Sequence, residues 1–202
     1  MIALIDYGAG NLTSVKKALT FLGADFTVPA SPAELREARG VIVPGVGHFA
    51  ATAALEGAWY DAIAAETLGG TPLLGICLGM QWLFEGSDEA PEVHGLGVIR
   101  GQITRLQNDP GRRLKIPHVG WNALEFRSDA RLFHGLSSGA QVYFTHSYAA
   151  PVTAECAAST EHASTFSSVV ERDNIFGVQF HPEKSGNAGL QILRNFLQVC
   201  QC

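Results

Sequence analysis

The sequence is poor in charge, in cysteine and in long apolar runs. Charged residues make up 16% of the 202, and the formal net charge is −5. A nucleic-acid footprint needs a basic surface, so that class is excluded. The four cysteines, Cys77, Cys156, Cys200 and Cys202, have neither metal-ligand spacing nor the density of a disulfide scaffold. No metal or cofactor is expected. Cys200 and Cys202 close the chain, where fraying is expected. The opening MIALIDYG lacks a basic stretch ahead of a long apolar core, and no run approaches the ~20 apolar residues of a membrane span. A reducing cytoplasm is the expected setting. Hydrophobic residues at 47% can build a sizeable core. With no repeat, low-complexity stretch or linker, one domain over residues 1–202 is expected.

What the chain does have is an alternation of short apolar runs and amphipathic stretches. Ile2 to Ile5 and Asp25 to Val28 have strand patterns, as does Gly40 to Val43. Between the first two, Leu12, Val15, Ala18, Leu19 and Leu22 form a helical stripe capped at Asn11 or Thr13 and stopped by Gly23. Ser31-Pro32-Ala33-Glu34 has the form of a capping box with proline at the first helical position. Phe49 to Leu68 predicts a helix broken near Gly57. The alternation implies an α/β fold, a doubly wound, mostly parallel sheet with helices on both faces. From Gly95 onward the pieces shorten and become β-like: Gly97 to Leu106, Ala123 to Phe126, Val142 to Tyr148, Ser167 to Arg172 and Ile175 to Phe180. They predict a smaller antiparallel portion, with Asp173-Asn174 as a tight hairpin and Ala188 to Val199 as a final helix.

The stretch Thr71 to Glu85, TPLLGICLGMQWLFE, is the centre of this arrangement. A strand ends at Gly75, a helix begins near Met80, and Cys77 sits at the corner with glycine two residues to either side. That is the cysteine form of a nucleophile elbow, expected to leave the thiol exposed. A cysteine in an apolar run is commonly inert core. The glycines argue otherwise, since each costs roughly 0.5–1 kcal/mol relative to alanine inside a regular element. Immediately after another apolar strand stands His181-Pro182-Glu183. The residue before proline is pushed to extended geometry, and extended residues two apart point the same way. Glu183 can then fix the His181 imidazole while its other nitrogen faces a thiol. Acyl transfer also needs an oxyanion hole. The N–H groups of Cys77 and Leu78 are candidates, together with Gly45 and Val46 in the glycine-flanked turn Pro44 to Gly47.

GICLGMQ and FHPEKS resemble the two signature motifs of class I, triad-type glutamine amidotransferases, and the resemblance covers essentially the whole chain. Within that class, DYGAGNLTSV, PGVGHF, KIPHVGWN and YFTHSY are similar to the glutaminase subunits of imidazole glycerol phosphate synthases. The resemblance implies a flavodoxin-like sheet, L-glutamine as substrate and Cys77, His181 and Glu183 as the catalytic triad. It implies substrate contacts from Gly47, Gln81 and Glu89 and from the backbone of His146, Ser147 and Tyr148. It also implies a (β/α)8 cyclase partner in histidine biosynthesis, forming a heterodimer through Asn11, Trp121, Tyr143 and Lys184. Glutaminase activity should be weak until the partner's ligand binds and a peptide in the Pro44 to Gly47 turn reorients.

The chain shows no GxxxxGK phosphate loop and little sequence for a second active site, so the ammonia acceptor is expected on another chain. Two other functions fit parts of the pattern. One is a glutaminase of the same class serving pyridoxal phosphate or anthranilate synthesis, against which KIPHVGWN and YFTHSY argue. The other is a non-catalytic cysteine sensor of the same fold, against which His181-Pro182-Glu183 argues. Arg112, Arg113 and Lys115 form a small basic cluster that either meets a partner or is solvated surface.

Overall fold

The computed structural model describes residues 1–108, 111 and 114–201; Arg112, Arg113 and Cys202 lie outside the described residues. The first half alternates as the sequence predicts. Strand β1 (Ile2–Leu4) leads to α1 (Leu12–Phe21), β2 (Phe26–Thr27) and β3 (Gly40–Gly45), then to α2 (Ala58–Leu68), β4 (Leu73–Cys77) and α3 (Leu78–Trp82). Asn11 caps α1, its side-chain oxygen accepting from Ser14 N at 3.4 Å. Two expected helices are tighter than α. Pro32–Glu37 is a 3-10 turn, and the expected capping box is not closed: the Ser31 hydroxyl donates to Glu34 Oε1 at 3.0 Å and caps no backbone N–H. Phe49–Leu55 is also 3-10 and ends before Gly57, which at φ +71° stands at the N-terminus of α2.

The second half contributes β5 (Gly86–Ser87), β6 (Gln102–Arg105), β7 (His118–Ala123), β8 (Glu125–Phe126), β9 (Gln141–His146) and β10 (Tyr148–Ala149). Then follow β11 (Cys156–His162), β12 (Ser164–Arg172), β13 (Ile175–Val178) and α4 (Gly186–Val199). The main sheet has the order β2-β1-β3-β4-β13-β12-β11-β8. Its first five strands are parallel, with the 2-1-3-4-5 order of flavodoxin-like sheets. The antiparallel strands β12, β11 and β8, part of the antiparallel portion that the sequence predicts in the second half, extend this same sheet. Two small sheets, β10-β6-β5 and β7-β9, stand beside it.

Strand β11 was not expected. Its residues Cys156 to Thr160 are all buried, so the alternation that marks a half-exposed strand is absent. The Val142 to Tyr148 strand divides at Ser147, where β9 leaves β7 and β10 joins β6. Asp173 and Asn174 do form the tight link from β12 to β13, with Asp173 at φ +51°.

Alternate residues of the parallel strands feed two cores. Ile2, Leu4, Ile42, Leu74 and Ile76 pack with Val15 and Leu19 of α1 and Ile192, Leu193 and Phe196 of α4. Ala3, Ile5, Val41, Val43 and Leu73 pack with Ile63 of α2 and Met80 and Trp82 of α3. Cys200 is not frayed. It is buried at the end of α4, where burial pushes its thiol up to about 12, and a Cβ on Gly40 would strike its sulfur.

Candidate active site

Parallel strands bring the ends of β1, β3, β4 and β13 to one edge of the sheet, and every expected catalytic residue follows one of those ends. Cys77 has φ 55° and ψ −106°, a conformation costly for a residue with a side chain. The flanking glycines are required by contact. A Cβ on Gly79 would run into the Val43 carbonyl, and one on Gly75 would meet the Gly79 carbonyl and Met80 Cα. The thiol is less exposed than the sequence predicts. Cys77 is only 5% exposed, because it forms part of the wall of a cavity of about 220 Å³. Gly47, Gln81, Glu89, His146, Ser147 and Tyr148, all six expected substrate residues, line the same cavity.

His181 Nδ1 lies 2.9 Å from Glu183 Oε1, with the two side chains 2% and 1% exposed. The route differs from the expected extended alternation. His181 is extended, but Pro182–Lys184 makes a 3-10 turn that brings the carboxylate round to the ring. Burial of the imidazole disfavours its charge, yet hydrogen bonding and charge from Cys77 and Glu183 outweigh it and raise His181 to about 9. Nε2 is buried with no hydrogen bond of standard geometry among the described residues; the Cys77 sulfur is the group that most raises its affinity for a proton. The Cys77 thiol, an imidazole whose proton affinity is raised and a carboxylate bonded to that ring thus stand beside a cavity of small-molecule size. Among the described residues no group of three or more histidine, cysteine, aspartate or glutamate side chains could hold a metal ion.

The family profile described as "Glutamine amidotransferase class-I" matches residues 3–200. The chain belongs to that family. Among its relatives is the protein named imidazole glycerol phosphate synthase subunit HisH in Gloeobacter violaceus, 48% identical, the match covering 98% of this chain and 88% of that one. Proteins of the same name in Methanosarcina acetivorans and Geobacillus thermodenitrificans are 44% and 47% identical over 98% of this chain. A solved glutamine amidotransferase superposes with a TM-score of 0.75 at 21% identity, covering all of both chains. A chain of PurLQS from Thermotoga maritima gives 0.74 at 18%, covering 98% of this chain and 97% of that one. These two likenesses are of fold.

Four features of this amidotransferase site carry no role in the sequence reading, although Tyr7 follows a strand end where a ligand is expected. Pro117 and Thr145 join the cavity wall. Gln179, fully buried, donates from Nε2 to Cys77 Sγ at 3.7 Å and accepts from Gln81 Nε2 at 3.1 Å. Its signal was a polar residue between Val178 and Phe180 in an otherwise apolar run. Tyr7 presses its hydroxyl against Gly45, where a Cβ would strike it, and that hydroxyl has no hydrogen-bond partner among the described residues. Burial first, and the nearby Cys77 second, push the phenol's pKa upward.

Of the oxyanion candidates, Gly45 stands in register with Cys77, Leu78 Cβ and the Tyr7 hydroxyl fill the space a Cβ on Gly45 would need, and Val46 leads into Gly47 at φ +110°. Glu89 is held near this turn by Phe49 N, which donates to Oε2 at 2.8 Å. Trp121 and Tyr143 are cross-strand partners in β7 and β9, with ring centroids 6.1 Å apart, and Trp121 is 56% exposed. Lys184 is exposed in the turn after His181, and Asn11 begins α1, which packs on that turn.

Proposed function

We propose that this chain is the glutaminase subunit of an imidazole glycerol phosphate synthase, a single amidotransferase domain of residues 1–202 working in the cytoplasm. It hydrolyses L-glutamine and passes the ammonia to a (β/α)8 cyclase subunit, with which it forms a heterodimer in histidine biosynthesis. Full-length likeness to subunits of that name supports the assignment. The observation that carries the chemistry is the convergence of Cys77, the His181–Glu183 pair and the cavity of Gln81, Glu89 and residues 146–148.

In this mechanism the Cys77 thiolate attacks the side-chain amide carbon of glutamine. The carbonyl oxygen becomes an oxyanion, stabilised by N–H groups drawn from Cys77, Leu78, Gly45 and Val46. His181, holding a proton at neutral pH, gives it to the departing nitrogen as the C–N bond breaks. A γ-glutamyl thioester and ammonia result. His181, now neutral, takes a proton from water, whose oxygen attacks the thioester, and glutamate leaves with the thiolate restored. Glu183 fixes the imidazole orientation in both halves. Ammonia freed into neutral water would become ammonium, which is no nucleophile. Delivery is therefore direct, across a face that includes Asn11, Trp121, Tyr143 and Lys184.

Glutaminase activity is low until the partner's ligand binds, and a peptide of the Pro44–Gly47 turn reorients to complete the oxyanion hole. The test is glutamate release from glutamine by the chain alone, with the cyclase subunit, and with that subunit and its nucleotide ligand, for wild type and Cys77→Ala. Release that requires the partner and Cys77 is expected. Activity indifferent to the partner would indicate another glutaminase of the class, and no activity in any arm would indicate a sensor.

A further inference from the structure

Two motif residues outside that mechanism, His118 of KIPHVGWN and the side chain of His146, form a buried pair linked to Asn122. The direction of every hydrogen bond between them follows from one end. Asn122 Oδ1 accepts from Ala123 N at 2.8 Å and its Nδ2 donates to Glu161 O at 3.1 Å, which fixes the amide. The same Nδ2 is 3.3 Å from His118 Nε2. An amide nitrogen only donates, so His118 Nε2 accepts and a neutral ring carries its proton on Nδ1. That proton points to His146 Nε2 at 3.1 Å. His146 must therefore carry its own proton on Nδ1, which donates to Tyr148 O at 2.9 Å. Both rings are neutral at neutral pH, since burial, and then the charge of neighbouring imidazoles, His146 and His162 for His118 and His162 and His181 for His146, lower them to about 3 and 4. His118 stacks on Phe144 at 4.7 Å and on His162 at 4.0 Å, so its plane is held as well.

The relay ends on the cavity wall. Tyr148 O also accepts from Gln81 Nε2 at 2.9 Å, and Ser147 O accepts from Leu106 N at 2.8 Å. Both carbonyls are thus committed to protein donors at the point where β9 gives way to β10. We propose that Asn122, His118 and His146 are positioning residues that fix the 146–148 wall of the glutamine cavity through the Tyr148 carbonyl. This rests on the glutaminase function proposed above, and it assigns a role to parts of two motifs that the triad leaves unused.

Two measurements test it. In the full chain labelled with 15N-histidine, imidazole resonances at neutral pH should show both His118 and His146 as neutral Nδ1–H tautomers. An Nε2–H tautomer or an imidazolium at either position would overturn the proposal, whatever the activity. In the complex with the cyclase subunit and its nucleotide, His118→Leu should raise the KM for glutamine at least roughly tenfold with kcat within about threefold. His118→Asn, which offers an amide donor in place of Nδ1–H, should bring KM back to within about threefold of wild type. An unchanged KM in His118→Leu, or no recovery in His118→Asn, would refute it. If His118→Leu does not fold, the tautomers of the wild type still decide. A wild type that hydrolyses no glutamine would instead refute the glutaminase function.

Discussion

At the scale of the residue, Cys77, the proposed nucleophile, is strained. Its φ of 55° and ψ of −106° belong to glycine rather than to a residue with a Cβ, and such strain costs on the order of 1–3 kcal/mol. Cys77→Gly should therefore be more stable than Cys77→Ala by about 1 kcal/mol, read from denaturant midpoints at equal m. Equal stabilities would mean that the corner is relaxed. Glu183→Gln keeps the shape of the side chain but can face His181 Nδ1 with a donor, favouring the wrong tautomer. It should lower kcat by roughly 10² or more with little change in KM. The proposed triad was legible because its chemistry leaves marks in neighbouring residues, glycines around Cys77 and proline between His181 and Glu183. Tyr7 leaves none, and Gln179 only its polarity within an apolar run. A buried amide on an apolar strand and a phenol after β1 acquire meaning only when the fold sets them against Cys77 and Gly45.

At the scale of the element, the elbow depends on two helix–strand approaches that admit no side chain. Gly79→Ala would drive a methyl group into the Val43 carbonyl, which separates β3 from α3 and disturbs the Gly45–Cys77 register. A loss of at least about 2 kcal/mol in unfolding free energy, with loss of glutaminase activity, is expected. A stable, active variant would show that α3 can retreat. Elements with a buried stripe or a clear stop were readable in advance, such as α1 with its Asn11 cap and Gly23. The misses have different causes. Strand β11 is buried on both faces and shows no alternation, while Pro32–Glu37 and Phe49–Leu55 carry helical composition in segments that the structure winds as 3-10. The antiparallel character of the second half was visible, but not that β12, β11 and β8 would continue the parallel sheet. Pairing partners that far apart in sequence are set by tertiary packing.

At the scale of the molecule, buried histidines of opposite kind shape stability against pH. His118 and His146 titrate near 3 and 4 when folded, against about 6.5 in an unfolded chain. The unfolded state binds more protons between these values, so their contribution is whole above about pH 6.5 and is lost as pH falls toward 4, by on the order of 3 kcal/mol for His146. His181 has the opposite sign. With a folded value of about 9, its contribution is whole below about pH 6.5 and fades as pH rises through 9. Urea unfolding from about pH 4.5 to 9.5 should give a maximum near neutrality, with His118→Asn flattening the acid limb alone. An acid limb unchanged by that substitution would show that carboxylates dominate it.

The same sheet that buries these rings also delivers the chemistry, because a parallel order puts the ends of β1, β3, β4 and β13 at one edge. Cys77 and His181 are 104 positions apart in the chain, by subtraction of their numbers, and meet only through the β4–β13 pairing. The most direct measurement of the proposed function is mass spectrometry of the complex with the cyclase subunit and its nucleotide ligand, denatured by acid during turnover of glutamine. A γ-glutamyl adduct confined to the peptide containing Cys77, absent from Cys77→Ala along with glutamate release, is the predicted result. Glutamate release that persists in Cys77→Ala, or an adduct on another residue, would contradict it.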